Sequence, residues 1–231
     1  MKRIILMILL IFTMILTSCG YSGYSGKHSD LYSVATNSVL WLNGYSWGAD
    51  YECDPSIEVI EEDTAIDILE TDINNFIVWL IAKEQPVARD LRRIVGALKI
   101  SLEIERIADF AVNIAKATIR IGKVESMLSS TKLEEMKDLA IEMLQKAVKS
   151  FIDENMSLAK EVGDLDDQVD DLCDINSKQI LNYLSKQPED MNQLTQLLFI
   201  NRHLERTADH ITNVAESAAY LIKGRQYDLN T

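Results

Sequence analysis

Glu105 and Asp109 stand four residues apart, as do Glu205 and Asp209, each pair opening the string Glu-Arg-x-Ala-Asp-x-x-x-Asn that closes at Asn113 and Asn213. The same spacing occurs upstream in Asp63 with Asp67, and in Asp166 with Asp170. On a helix, residues i and i+4 lie one above the other on one face. Each pair is therefore a short ladder of carboxylates. Two such ladders on neighbouring helices would present hard oxygen donors to a divalent or ferric cation, with Mg, Mn, Fe or Zn as the classes such donors suit. The competing chemistry is ion pairing. Arg106 and Arg206 sit beside the glutamates and could pair with acids inside a bundle. Asn113 and Asn213, one turn beyond the aspartates, could orient ligands or form an interhelical hydrogen bond. His203 and His210 flank the second string; His210 has Phe110 at the matching position of the first, so a local polar contact is expected of it.

Other chemistries find no support. No phosphate-cradling glycine loop, nucleophile elbow or Glu-x-x-His element occurs, so no enzyme is expected. The net charge of −13 over 231 residues opposes nucleic-acid binding, which needs clustered Lys and Arg. Cys19, Cys53 and Cys173 match no zinc spacing and give no disulfide framework.

The elements that must position the acids read as helices. Ile60, Ile66, Leu69, Ile73, Phe76 and Leu80 form an amphipathic stripe from residue 57 onward, which stops at Gln85-Pro86. A second helix spans about 87–121, with Leu91, Ile94, Leu98 and Leu102 in its stripe and Gly122 as C-cap. Leu98 to Glu105 and Leu102 to Asp109 are both seven-residue steps, so the carboxylates continue that stripe. After a Ser-bearing linker at 123–130, Thr131 with Glu134 suggests a capping box. Leu133, Met136, Ala140, Met143, Ala147 and Phe151 carry a third helix. A fourth covers about 156–186 and ends at Gln187-Pro188. A fifth covers about 190–222 and ends at Gly224.

Three features recur at nearly one offset. Gln85-Pro86 returns as Gln187-Pro188, Asp63/Asp67 as Asp166/Asp170, and Glu105/Asp109 as Glu205/Asp209. This indicates duplication of a helical unit, and an all-α fold of tandem bundles. The copies at 57–124 and 125–231 are unequal. The second has three helices; the first lacks its N-terminal helix. It should expose apolar surface or borrow a helix from another chain, which points to a homodimer.

The N-terminus differs in texture. Lys2 and Arg3 precede an apolar run at 4–16, and Leu16-Thr17-Ser18-Cys19 then resembles the lipobox of bacterial lipoproteins, with Cys19 the residue to be lipidated. Residues 1–19 are accordingly a leader-like segment. Residues 20–56, rich in Gly, Tyr, Ser and Trp, show no helical period and contain one possible strand at 34–42.

Residues 57–223 resemble the PhoU family of phosphate-signalling accessory proteins. The resemblance rests on Gln-Pro-Val-Ala-Arg-Asp-Leu-Arg-Arg (85–93), Glu-Arg-Ile-Ala-Asp (105–109), Asn-Ile-Ala (113–115), Leu-Glu-Arg-Thr-Ala-Asp-His (204–210) with Asn213, and the ending Tyr220-Leu-Ile-Lys-Gly224. It implies paired three-helix bundles. It implies metal at Glu105 with Asp109 and at Glu205 with Asp209, supported by Asp63, Asp67, Asp166 and Asp170. It also implies a cytoplasmic regulator that couples a phosphate ABC transporter to a sensor histidine kinase and restrains phosphate uptake and starvation genes. The front of the chain departs from that pattern. A chain anchored through Cys19 would instead be a membrane lipoprotein with the helical part as a passenger.

Overall fold

The computed structural model describes residues 55–121 and 131–229. The leader-like segment with Cys19, residues 20–54 with the possible strand, and the linker with Gly122 lie outside the described residues. Among the described residues there are five long helices: α1 (Pro55–Glu84), α2 (Ala88–Ile121), α3 (Leu133–Ile152), α4 (Met156–Lys186) and α5 (Met191–Lys223). A single 3-10 turn, Pro188–Asp190, joins the last two. Among the described residues there is no strand, and no helix is long and apolar enough to cross a membrane.

Helix boundaries follow local chemistry. α1 begins at Pro55, two residues before the expected start, because proline's fixed φ suits the first helical position, where no N–H is needed. Gln85 and Ala88 adopt positive φ on either side of Pro86, which breaks the chain between α1 and α2. α5 ends as expected, with Gly224 left-handed at φ 70° and its N–H donating to Tyr220 O. Lys132, one residue after the expected Thr131, occupies the N-cap of α3, with no side-chain cap of its own, and its backbone N–H donates to Asn176 Oδ1 on α4 at 2.7 Å.

α3, α4 and α5 form a three-helix bundle, and α1 packs chiefly on α2. The two halves meet along α2 and α5. These run antiparallel: as the number rises on α2 it falls on α5, from Gly96 beside Ser217, through Glu103 against His210, to Ile121 O accepting from Gln193 Nε2. Adding 100 maps the Glu103–His210 contact onto the Phe110–His203 ring contact, so the seam has a local two-fold.

The core is continuous across the seam. Ile94, Ala97, Ile100, Ile104, Ala117 and Ile121 of α2 join Leu194, Leu197, Ile200, Leu204, Ala208 and Leu221 of α5. All six stripe positions expected of α3 are buried. On α2 the expected stripe is displaced. Leu91 and Leu102 face solvent, at 36% and 45% exposure, while the buried line passes through Ile94, Ala97, Ile100, Ile104 and Ala108. Ile94, Leu98 and Leu102 step by four, and each such step turns about 40° past a full circle, so by Leu102 the row has left the core face.

Candidate functional site

The repeat builds two acidic sites, one on each hairpin. At the first, α1 contributes Asp63, Asp67 and Glu70, and α2 contributes Glu105 and Asp109. Burial, then Asp67, then Asp109 push the Asp63 carboxyl above its usual range, and Lys116 partly opposes them. Glu105 is likewise raised, by burial first and by Asp109, with Arg106 opposing and Asp67 and Glu70 adding. The acids of the two helices therefore face each other across the hairpin. Neither Glu105 nor Asp109 is fully buried, because both flank the core line that runs through Ile104 and Ala108.

The second site is deeper. Asp166 on α4 is only 6% exposed, and its carboxyl is pushed up to about 7 by burial, by Asp170 and by Asp209, against a hydrogen bond from Thr212. Asp170 is raised by burial and by Asp209. Glu205 is raised by burial and Asp209, against Arg202. Asp166 Oδ1 and Glu205 Oε2 are buried with no hydrogen-bond partner. A buried carboxylate oxygen without a donor is costly, so these two atoms call for a proton or a cation.

The eight acids expected from the sequence couple electrostatically as two groups of four, one on each hairpin. The groups do not close into cages: among the described residues, no set of three or more His, Cys, Asp or Glu converges to hold one ion. The fit to a hard cation lies in donor type, orphaned oxygens and like-charge crowding, not in a finished coordination shell.

The flanking residues behave unequally. Arg106 pairs loosely with Glu105 at 3.9 Å. Among the described residues Arg206 pairs with no glutamate; its guanidinium lies 4.8 Å over the Phe110 ring, across the seam. The cation beside Glu205 is Arg202, a contact that sequence reading missed. Its counterpart in the first copy is Leu102, so only the second site carries this arginine. Asn113 is exposed, whereas Asn213 donates to Glu103 Oε2 at 3.1 Å. His210 Nδ1 meets the same oxygen at 2.6 Å, which makes it the local polar contact expected. His203 is held below the usual imidazole range by burial and by Arg206.

Beside the second site lies a buried amide network. Asn176 Nδ2 donates to Asn201 Oδ1 at 3.0 Å, and Asn201 Nδ2 donates to Cys173 O at 2.9 Å. It ties α4 to α5 one turn beyond Glu205. Its only sequence signal was two asparagines at apolar-stripe positions.

Comparison with known proteins agrees with this architecture. The PhoU domain profile matches residues 51–118 and 133–218. A phosphate-specific transport system accessory protein PhoU homolog of Clostridium acetobutylicum is 37% identical over 190 residues, covering 78% of this chain and 87% of that protein. The homolog of the same name from Aquifex aeolicus is 39% identical over 167 residues, 72% of this chain and 76% of that one. Among solved structures, PhoU from Pseudomonas aeruginosa superposes with a TM-score of 0.73 at 23% identity, covering 97% of both chains. The phosphate transport system regulatory protein PhoU from Streptococcus pneumoniae gives 0.70 at 24% identity, covering 98% of this chain and 96% of that chain.

Proposed function

We infer that this chain, which belongs to the PhoU family, is a non-enzymatic accessory protein of phosphate transport that acts through protein contact and carries cations at its two acidic sites. The relatives are named as accessory proteins of a phosphate-specific transport system. The single observation that carries the cation part is the orphaned pair Asp166 Oδ1 and Glu205 Oε2 amid four crowded carboxylates. Asp166, Asp170, Glu205 and Asp209 would hold a cation at the second site, and Asp63, Asp67, Glu105 and Asp109 at the first. A bound cation would neutralise charge that now opposes helix packing and would join each hairpin across its two helices. Mg, Mn, Fe and Zn all suit the oxygen donors in charge.

Family membership supports the regulatory part. The expected partners are the cytoplasmic ATPase of a phosphate ABC transporter and a sensor histidine kinase, with the protein lowering phosphate uptake and starvation-gene expression when phosphate is ample. Elemental analysis of purified protein tests the first part: bound metal should fall by half in Glu205→Ala with Asp209→Ala. Metal-free wild type would end it. Co-purification with the ATPase, and derepression of a starvation reporter on deletion, test the second. Absence of both would end that part.

One observation favours a second reading. Leu16-Thr17-Ser18-Cys19 has the order of a lipidation signal. A chain anchored through Cys19 outside the cytoplasm would not reach a cytoplasmic ATPase. Fractionation of wild type against Cys19→Ala decides between them.

A further inference from the structure

The two hairpins are not equally covered. In the second copy, α3 lies along α4 and α5, and the positions it shelters are closed. Leu172 is 6% exposed and Asn176 fully buried, the latter touching both Lys132 and Met136 of α3. On α5, Val214, Ala218 and Ala219 are fully buried. The matching positions of the first copy are Leu69 and Ile73 on α1, and Ile114, Thr118 and Ile119 on α2. The first four are only half-buried, and Ile119 is 46% exposed. The seam between α2 and α5 is shared by both copies, so the difference is the helix that α3 supplies to one and no described helix supplies to the other.

We infer that this flank of α1 and α2 is the docking site for residues 1–54 of the same chain. Chain order places them in the right slot. α3 precedes α4 directly, across the turn Asp153 to Asn155, and residues 1–54 precede α1 in the same way. Length suffices, because the 20-residue α3 spans about 30 Å and 54 residues can cover a flank of that size. Composition fits. Two of three Trp and five of eight Tyr lie before residue 55, as does the apolar run at 4–16. Lys2, Arg3 and Lys27 nearly balance Asp30, Asp50, Glu52 and Asp54, so the N-terminal residues bring little net charge to the flank.

The test uses the full chain with a benzophenone amino acid at Ile119 or, separately, at Ile73, and a control at the exposed Phe199. Circular dichroism first confirms that each variant is folded. Irradiation of mixed light and 15N-labelled chains, followed by peptide mass spectrometry, identifies what each position touches. Cross-links from both flank positions to residues 1–54 of the same isotope, at least tenfold above those from position 199, are the expected result. If processing at Cys19 removes the leader, the cross-links fall within 20–54. Cross-links joining light and heavy chains would overturn the proposal in favour of a second copy. Folded variants that form no cross-link would overturn it by showing an open flank.

Discussion

Replacing Asp166 by Asn tests whether the second site is built around a suppressed charge. The Asp166 carboxyl is raised from its ordinary 3.8 to about 7 by burial first, then by Asp170 and Asp209. Because the folded value lies above the unfolded one, the folded protein keeps a proton here that the unfolded chain has already lost. Stability from this group is therefore greatest at low pH and declines as pH rises from the unfolded value to the folded one. At about 1.4 kcal/mol per unit, the whole span amounts to about 4 kcal/mol, of which about 2 kcal/mol is lost between about pH 5.5 and about pH 7. Asn is close in shape and does not titrate. Its neutrality also relieves Asp170, which is raised in the same direction. Urea unfolding of metal-free protein at about pH 5.5 and about pH 8 should show wild type losing roughly 2 kcal/mol more than Asp166→Asn across that interval. Asp166→Asn should then be the more stable protein at the higher pH. Equal losses in the two proteins, or a variant less stable than wild type at both pH values, would refute the reasoning.

Glu154 accepts from both Arg89 and Arg93 of α2 and so ties the α3–α4 turn to the other half of the molecule. Burial raises its carboxyl, but the two guanidinium groups more than offset this and hold it below the ordinary range. Glu154→Gln should cost about 1 kcal/mol at neutral pH, since Arg89 is largely solvated, and the cost should vanish as pH falls through the depressed carboxyl value; thermal melts across pH would show it. A Cβ on Gly96 would lie 2.9 Å from the Phe151 ring, so Gly96→Ala should destabilise by about 1–3 kcal/mol in urea, with partial rescue by Phe151→Leu. Asn201→Ala removes the acceptor of the buried Asn176 amide, and should cost roughly 1–3 kcal/mol, more than Asn201→Ser, by the same assay.

What could be read from the sequence was local or repeated. Pro86, Pro188 and Gly224 fix helix ends through their own backbone chemistry, so the boundaries there were legible. The acidic ladders were legible because a four-residue step needs only a helix to become a face. What could not be read depends on which residue of one helix meets which residue of another. Glu103 carries no signal until α5 brings His210 and Asn213 to it. Thr131 is the expected N-cap of α3, yet Lys132 occupies that position and sends its N–H to Asn176 of another helix. Leu102 lies in a row of four-residue steps from Ile94, and two such steps carry it about 80° round the helix, off the packed face.

The same consideration explains why two copies of one motif do not make two equal sites. Glu105 and Glu205 open the same Glu-Arg-x-Ala-Asp-x-x-x-Asn pattern, but their environments come from elsewhere. Position 202 is an arginine that reaches Glu205, and position 102 is an exposed leucine that cannot. Asp166 is nearly enclosed beneath a three-helix bundle, whereas its counterpart Asp63 is only half-buried on a helix whose described packing is chiefly with α2. Desolvation is the first cause of every carboxyl raised at either site, so the extent of helix cover sets how strongly each site prefers a proton or a cation over bare charge.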